Sequence, residues 1–280
     1  MVIGIIGLGL IGGSFAKDLR GEPWTDRIIG VDNNPDHAKR ARELGLVDEL
    51  VELPQLLSEA EVILLAIPVD GIVALLPSLL DRVSDKQTVI DLGSTKRAAV
   101  DAVQGHPRRS RYVAAHPMAG TENSGPDASL SGLFKGKVVL LCNLEDSAPD
   151  ACRTALQIFH SVGLRFEFMP AEQHDRHAAY VSHLSHVVSY ALSLAVQTEE
   201  KAGYAVPRLA GGGFASTVRL AKSQPEMWVP IFLLNADEVL PAIDSFLEEV
   251  RRFRDALATH DPAEIHDLIA NANHIRELLQ

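Results

Sequence analysis

The residue in this sequence best placed to do chemistry is a histidine that follows a short apolar strand. Residues 112–115 predict that strand, His116 comes next, and Pro117 cannot continue the ladder of hydrogen bonds. In open α/β sheets, ligands bind in the crevice beyond the carboxyl ends of the strands. Histidine exchanges a proton near neutral pH, so His116 is a candidate general acid or base. A solvated histidine ahead of a turn is the alternative.

A serine hydroxyl is predicted at the same rim of the sheet. Residues 87–91 predict another apolar strand, and Ser94 follows it shortly before a helix that begins near Arg97. Ser94 could therefore orient a substrate or the imidazole of His116. A serine that caps the following helix is the alternative.

A glycine-rich turn near the amino terminus indicates a dinucleotide site. Residues 2–6 predict an apolar strand, the sequence Gly7-Leu-Gly-Leu-Ile-Gly12 follows, and a helical stretch begins at Gly13. The first glycine permits a tight turn, the second lets a pyrophosphate approach, and the third allows close packing of helix on strand. The helix N-terminus attracts the anion. The predicted cofactor-binding residues here are Gly7, Gly9, Leu10, Ile11 and Gly12.

An acidic residue after the second strand favours NAD as the cofactor. Residues 27–31 predict that strand, and Asp32 ends it. A carboxylate there accepts hydrogen bonds from the adenosine ribose hydroxyls and repels the 2′-phosphate of NADP. Lys39 and Arg40 lie close enough in the sequence to weaken this preference for NAD.

The order of the predicted elements indicates an α/β fold followed by a helical part. Residues 61–67 read as a near-continuous apolar strand of a parallel sheet, and its end, at Ile67 and Pro68, is expected beside the cofactor. Strands alternate with helices up to residue 170, and only helices are predicted afterwards. We expect a doubly wound, mostly parallel, Rossmann-like sheet in domain 1–170 and an all-helical substrate and dimerisation domain in 171–280.

The helical half carries several polar residues that could meet a substrate. His183 and His186 are spaced to share one helix face, although a helical histidine is more often a packing residue. The planar fork of Arg219 suits a carboxylate, with a surface ion pair as the alternative. Gly212 lies in a glycine-rich break between helices, where another group can approach the backbone closely. Trp228 lines either a binding site or the hydrophobic core. No metal site is predicted, because no third ligand follows the histidine pair.

Composition limits the classes of partner. The chain has 280 residues, is 22% charged and has a formal net charge of −11, which argues against nucleic acid but leaves room for a small anionic substrate. Cys142 and Cys152 lack a C-x-x-C spacing, as expected in a reducing compartment. No signal segment is predicted and the apolar runs are too short for a bilayer, so we expect a cytoplasmic protein without a membrane partner.

The carboxyl-terminal helices predict a partner subunit and a capped helix start. Residues 227–257 are apolar on more than one helix face, which suggests that a homodimer forms through these helices. The sequence Ser223-Gln-Pro-Glu226 predicts a capping box at the start of one of them.

With these segments placed, the chain resembles the prephenate dehydrogenase family, whose members also act on arogenate, the amino counterpart of prephenate. The resemblance covers essentially the whole chain. It rests on Gly-Leu-Gly-Leu-Ile-Gly-Gly-Ser (7–14), Asp-Leu-Gly-Ser-Thr-Lys (91–96), His-Pro-Met-Ala-Gly-Thr-Glu (116–122), Ser-His-Leu-Ser-His (182–186) and Gly-Gly-Gly-Phe…Arg-Leu-Ala-Lys-Ser-x-Pro-x-Met-Trp (211–228). The first motif is common among dehydrogenases, whereas the other four in this order are specific. Ser185, Ser216 and Val218 depart from the residues common in relatives, which are proline, aspartate and threonine.

The resemblance implies an NAD-dependent oxidative decarboxylation of a small anionic cyclohexadiene, prephenate, to 4-hydroxyphenylpyruvate in tyrosine biosynthesis. It implies that His116 accepts the hydrogen bond or proton of the ring C4 hydroxyl and that Ser94 orients both groups. For the substrate, it implies a carboxylate held by Arg219 and contacts from His186, Glu122 as a gate and Trp228 as an aromatic wall. An arogenate dehydrogenase is the alternative, and the presence of His186 leans toward prephenate.

Two further interpretations compete with this one. Another two-domain dehydrogenase, of the hydroxyacid or pyrroline-carboxylate kind, would share the glycine turn but place its catalytic groups elsewhere. A non-catalytic NAD-binding regulator that dimerises through its helices would need neither His116 nor Arg219.

Overall fold

The computed structural model of the chain describes residues 1–201 and 210–278. One eight-stranded sheet holds every strand of this described part, in the order β3-β2-β1-β4-β5-β6-β7-β8. All neighbouring strands run parallel except the antiparallel pair β6 and β7. The strands are β1 (Val2–Ile6), β2 (Arg27–Val31), β3 (Glu49–Leu50), β4 (Val62–Leu65), β5 (Thr88–Asp91), β6 (Tyr112–Pro117), β7 (Val138–Cys142) and β8 (Arg165–Met169).

Helices cover both faces of the sheet, which confirms the predicted mostly parallel, doubly wound fold. The side chains of β1 alternate between the two faces of the sheet. Ile3 and Ile5 belong to one buried apolar cluster, and Ile6 belongs to a second one. The helices within the sheet part are α1 (Leu10–Leu19), α2 (Pro35–Glu43), α3 (Leu53–Glu59), α4 (Val69–Leu80), α5 (Arg97–Ala102) and α6 (Pro149–Ser161).

After β8 the described chain is helical, as predicted. A run that starts at Ala171 contains one π-helical turn, at Ala179–His183, that the sequence did not predict. The helices of this part are α7 (Ala171–Ala178), α8 (Leu184–Lys201), α9 (Gly212–Thr217), α10 (Pro225–Leu234), α11 (Ala236–Ala258), α12 (Pro262–Ala272) and α13 (Ile275–Leu278). No helix among residues 1–201 and 210–278 has the length and apolar character needed to cross a membrane. The boundary at residue 170 stays a prediction.

Two local predictions are corrected. The strand of His116 does not end before Pro117: β6 continues through it, and Pro117 pairs with Val139 of β7. This is tolerated because β5 pairs only as far as Ala114, so the last residues of β6 need a partner strand on one side only. The capping box is absent as well, since the residue before α10 is Gln224 and no side chain caps that helix.

Candidate active site

The imidazole of His116 is buried and joined to a second histidine. Strand β6 holds His116 at 9% exposure, and its Nδ1 lies 2.8 Å from Nε2 of His174 on α7. The other ring nitrogen of His174 lies 2.7 Å from Oδ1 of Asp175. A row of three side chains therefore runs inward from the rim of the sheet to a fully buried carboxylate. Neither His174 nor Asp175 is among the site residues predicted from the sequence.

Asp175 is fixed by the backbone at the start of a neighbouring helix and by a buried amide. Its Oδ1 accepts the backbone N–H of Lys96 at 2.7 Å, and its Oδ2 accepts that of Arg97 at 3.0 Å. The side-chain amide of Asn235, between α10 and α11, donates to the backbone oxygen of Asp175 at 2.8 Å and lies 3.0 Å from Nδ1 of His183. The start of α5 thus orients the carboxylate of Asp175, and Asn235 holds its backbone.

These partners determine which nitrogen of His116 is free to accept a proton. Both oxygens of the Asp175 carboxylate act as hydrogen-bond acceptors. The nitrogen of His174 that faces this carboxylate, Nδ1, must therefore carry a proton and donate it. Burial lowers the pKa of His174, which leaves its Nε2 as an acceptor at neutral pH. His116 then donates from Nδ1 and carries its lone pair on Nε2. No hydrogen bond among the described residues uses that nitrogen.

The protonation state of His116 follows from its surroundings. Burial lowers the pKa of its imidazole well below the usual value, and repulsion by the nearby ammonium of Lys96 lowers it further. The imidazole is therefore neutral at pH 7, as a general base must be before it acts.

A buried ion pair supports the strand under His116. The ammonium of Lys96 is fully buried, contacts Oδ1 of Asp91 and donates to the backbone oxygen of Ala115 at 2.8 Å. The hydroxyl of Tyr112 donates to the other oxygen of Asp91 at 2.7 Å. Because these groups satisfy one another, Lys96 holds β5 and β6 together and has a structural role.

Ser94 lies on the predicted rim but is not bonded to the histidine. It follows β5, which is the parallel neighbour of β6, and it is half-buried. Within residues 1–201 and 210–278, no hydrogen bond joins Ser94 to His116. In this structure His174 and Asp175 orient the imidazole, and an orienting role for Ser94 stays a prediction.

Two of the predicted substrate residues in the helical part are in direct contact. His186 stacks on Trp228 with ring centroids 3.4 Å apart, and its Nδ1 lies 3.0 Å from the backbone oxygen of Ser182. His183 meets the same indole edge-on at 5.9 Å, so the two histidines share a face as predicted. Trp228 packs against Val69 at the start of α4, which joins the helical part to the sheet.

Arg219 forms an ion pair with the loop after β6, and its charge acts on the helical histidine. Its guanidinium donates to Oε2 of Glu122 at 2.8 Å, and the two side chains are 51% and 30% exposed. Hydrogen bonds from its own backbone and from Arg219 lower the pKa of the Glu122 carboxyl. The charge of Arg219 also adds to the effect of burial in lowering the pKa of His186. Gly212 is exposed at the start of α9, and its role in binding the substrate stays a prediction.

The glycine turn has the features of a dinucleotide cradle. Gly7 has a φ of +94°, and a Cβ atom there would lie 2.4 Å from the backbone oxygen of Ala66. At Gly9 an added Cβ would meet only the backbone nitrogen of Gly125, at 4.0 Å, so the space above it is open. In the described chain, no hydrogen bond uses the backbone N–H of Leu10 or Ile11 at the start of α1, so both can bind an anion.

The other predicted cofactor residues surround this turn. Asp32 directly follows β2, and its oxygens accept the backbone N–H groups of Leu8 at 2.8 Å and Asn34 at 2.9 Å. Ile67 is half-buried and its side chain lies over Gly7, whereas Pro68 is exposed just before α4. These contacts place Asp32 and Ile67 on either side of the cradle. Among the described residues, no group of three or more His, Cys, Asp or Glu side chains could hold a metal ion.

Comparison with known proteins finds a family match for each of two consecutive parts of the chain. Residues 15–168 match the nucleotide-binding domain of prephenate dehydrogenase, and residues 170–271 match the dimerization domain of prephenate dehydrogenase. The chain is 32% identical over 261 residues to a cyclohexadienyl dehydrogenase of Zymomonas mobilis, covering 92% of this chain and 89% of that protein. It is 31% identical over 276 residues to a prephenate dehydrogenase of Bacillus subtilis, covering 98% of this chain and 74% of that protein.

A solved structure extends the likeness to the fold of the whole chain. The prephenate dehydrogenase of Aquifex aeolicus, in complex with hydroxyphenyl propionate and NAD+, superimposes with a TM-score of 0.91 at 30% identity. The alignment covers 100% of this chain and 98% of the other. The two matching domains, their order and the superposition agree, and the chain belongs to the prephenate dehydrogenase family.

Proposed function

We propose that this protein is an NAD-dependent prephenate dehydrogenase, which oxidatively decarboxylates prephenate to 4-hydroxyphenylpyruvate in tyrosine biosynthesis. The observation that carries the proposal is the contact between His116 and His174, from which the tautomer of His116 follows. Its Nδ1 is bonded to His174 at 2.8 Å, so the lone pair sits on Nε2 of a neutral, buried imidazole. A base of this kind is what oxidation of a ring hydroxyl requires, and it lies on the strand next to the one that leads to Ser94.

The residues of the glycine turn fit NAD. The open space above Gly9 suits a pyrophosphate, as do the N–H groups of Leu10 and Ile11, which have no acceptor within the described part of the chain, and Asp32 suits the adenosine ribose. When bound, NAD supplies the acceptor for the hydride that leaves C4 of the substrate ring. Ile67, packed over Gly7, would limit the space on one side of the cofactor.

In the proposed reaction, His116 removes the proton of the C4 hydroxyl through Nε2. Loss of that proton raises the electron density at C4 and promotes departure of the hydride. Arg219 binds a substrate carboxylate after Glu122 has released it, since the same guanidinium now bonds Glu122 at 2.8 Å. Loss of carbon dioxide then restores an aromatic ring, which makes the reaction effectively irreversible.

His186 and Trp228 form one wall of the proposed substrate site. Their stacked rings would bound the cyclohexadiene ring on one side. The indole Nε1–H of Trp228 is buried and has no acceptor among the described residues, so an oxygen of the bound substrate would satisfy it. Gly212 and Glu122 would complete the site on the side of Arg219.

The proposal includes a homodimer in the cytoplasm, built through the helical domain 171–280. Apolar side chains stand exposed on α8, α10, α11 and α12, and a second copy of the chain would cover them. They are Leu194, Val229, Leu233, Leu240, Leu247, Val250, Leu257 and Ile269. Light scattering of the wild type and of a Leu240→Glu, Leu247→Glu double variant tests this, and a monomeric wild type would contradict it.

The activity is tested by the appearance of NADH when the purified protein is given NAD with prephenate or with arogenate. We expect prephenate to be the better substrate and His116→Asn to lower kcat by roughly 10²–10⁴-fold. His160→Asn, which changes an exposed histidine at the end of α6, serves as the matched control. Unchanged turnover in His116→Asn would remove this residue from the mechanism. Turnover of arogenate alone would instead make the protein an arogenate dehydrogenase.

A further inference from the structure

Arg40, which the sequence left as a possible site for the 2′-phosphate of NADP, is held by carboxylates. Its Nε and one Nη lie 2.9 and 2.7 Å from Oδ1 of Asp127, in the loop between β6 and β7. Its other Nη lies 3.1 Å from Oε2 of Glu43, one turn along α2. All three nitrogens of the guanidinium therefore have an acidic partner.

The position of Arg40 is close to the cofactor cradle. It lies one turn after His37 on the same face of α2, the helix that follows Asp32. A Cβ atom on Gly125 would lie 3.6 Å from Nε2 of His37, and the backbone nitrogen of Gly125 is 4.0 Å from the Cβ position of Gly9. The loop that contains Asp127 thus passes between the glycine turn and the helix of Arg40.

Several further contacts fix this loop on the helix that begins at the cradle. The backbone N–H of Leu130 donates to the Ser14 hydroxyl at 2.9 Å, and that of Gly132 donates to Asp18 at 2.8 Å. Lys17 donates from its ammonium to the backbone oxygen of Ser129 at 2.6 Å. Asp127 is therefore presented to Arg40 by a loop with defined geometry.

We propose that Asp127 makes the cofactor site selective for NAD by holding the guanidinium of Arg40, which would otherwise bind the 2′-phosphate of NADP. A free arginine beside the ribose is the usual means by which this fold accepts a 2′-phosphate, because its planar fork binds phosphate oxygens bidentately. The Arg40 guanidinium lowers the pKa of the Asp127 carboxyl, which keeps the partner charged. This inference rests on the proposed function.

The selectivity set by this ion pair is moderate. The side chains of Arg40 and Asp127 are 43% and 66% exposed, and exposed ion pairs are screened by water and salt. A phosphate dianion can therefore compete for Arg40, but it must first displace Asp127. Asp32 provides the second obstacle, because its charge also repels the 2′-phosphate.

The test compares the affinities of NADH and NADPH, measured by calorimetry on the purified protein without substrate. In Asp127→Asn we expect the ratio of the NADPH to the NADH dissociation constant to fall roughly 5–10-fold, about 1–1.4 kcal/mol. Glu43→Gln is the matched control, because it removes the same charge while Arg40 stays bonded to Asp127. We expect less than a twofold change in the ratio there.

A second background tests whether Asp127 acts through the arginine. In Arg40→Gln, adding Asp127→Asn should leave the ratio unchanged. An unchanged ratio in the single Asp127→Asn variant, or an equal fall in the Arg40→Gln background, would overturn the inference. Failure of the proposed function gives a different result: the wild type would not reduce NAD with prephenate, whatever the two affinities are.

Discussion

Nδ1 of His116 and Nε2 of His174 lie 2.8 Å apart, and this contact joins strand β6 to the first helix after the sheet. The proposed base is therefore assembled from both parts of the chain. Its tautomer depends on Asp175, which is held in turn by the backbone of residues 96 and 97. A substitution at Asp175 should therefore change kcat although Asp175 itself does not contact the substrate.

Asp175→Asn should lower kcat while leaving the affinity for NADH within about threefold. The asparagine can donate to Nδ1 of His174, which reverses both tautomers and places a proton on Nε2 of His116. Loss of a correctly placed base is worth roughly 10²–10⁴-fold in rate. Steady-state kinetics with prephenate and a calorimetric titration with NADH measure the two quantities.

The control for this positioning role is His177→Gln, an exposed histidine on the same helix α7. His174→Gln provides a second variant in case Asp175→Asn does not fold, because its amide can still bridge Asp175 and His116. We expect His174→Gln to retain more activity than His174→Ala. Equal activity in these two variants would show that the hydrogen bonds of His174 do not contribute to catalysis.

The strands of the sheet can be predicted from the sequence more fully than the contacts of the site. The bounds of β1 (Val2–Ile6) and β2 (Arg27–Val31) follow from apolar runs that a glycine turn and Asp32 terminate, and the structure confirms both. The two-residue β3 and the short α3 were missed, since neither carries enough apolar residues for a periodic pattern.

The site could be predicted only in part, because its key contact is not local. The sequence locates His116 at the rim, but the residue that orients it lies 58 positions later on another element. The adjacent pair His174 and Asp175, at the first helix after the sheet, was the available signal. Local patterns cannot show which strand a buried helical histidine faces, because this depends on how α7 packs against the sheet.

Arg219→Ala should raise KM for prephenate by about tenfold and leave kcat less affected. A charge-assisted hydrogen bond to a carboxylate is worth about 1.5–3 kcal/mol, and the half-exposed position of Arg219 reduces this toward the lower end. Glu122→Gln should lower KM, because Glu122 no longer competes for the guanidinium. Lys222→Ala, which removes a nearby charge without a planar fork, is the control. An equal rise of KM in Lys222→Ala would show that only the total charge matters.

Gly9→Ala and Gly12→Ala should separate cofactor binding from folding. An alanine at Gly9 meets open space and keeps an allowed backbone, so stability should change by less than about 0.5 kcal/mol. The new methyl group should hinder the pyrophosphate and raise the NADH dissociation constant by about tenfold or more. At Gly12 the Cβ atom would lie 2.0 Å from the backbone oxygen of Gly7, so we expect a loss of about 3 kcal/mol or more. Urea denaturation and NADH titration measure both variants, and equal stability of the two would contradict the assigned geometry.

His183 should make the protein sensitive to acid. Burial lowers its pKa to about 4, whereas the pKa in the unfolded chain is about 6.5. Above pH 6.5 both states are neutral, and between pH 6.5 and 4 only the unfolded chain gains the proton. The free energy of unfolding should therefore fall by about 1.4 kcal/mol per pH unit, or about 3 kcal/mol over the interval, from this residue alone.

His183→Asn should remove this part of the pH dependence while keeping an acceptor for the amide of Asn235, which now lies 3.0 Å from Nδ1. Whatever the variant loses in stability at pH 7.5, its urea midpoint should fall less steeply than that of the wild type between pH 6.5 and 4.5. His266→Asn, on the exposed face of α12 at 78% exposure, should follow the wild-type curve. Parallel curves for wild type and His183→Asn would mean that His183 takes up its proton in the folded protein as readily as in the unfolded chain.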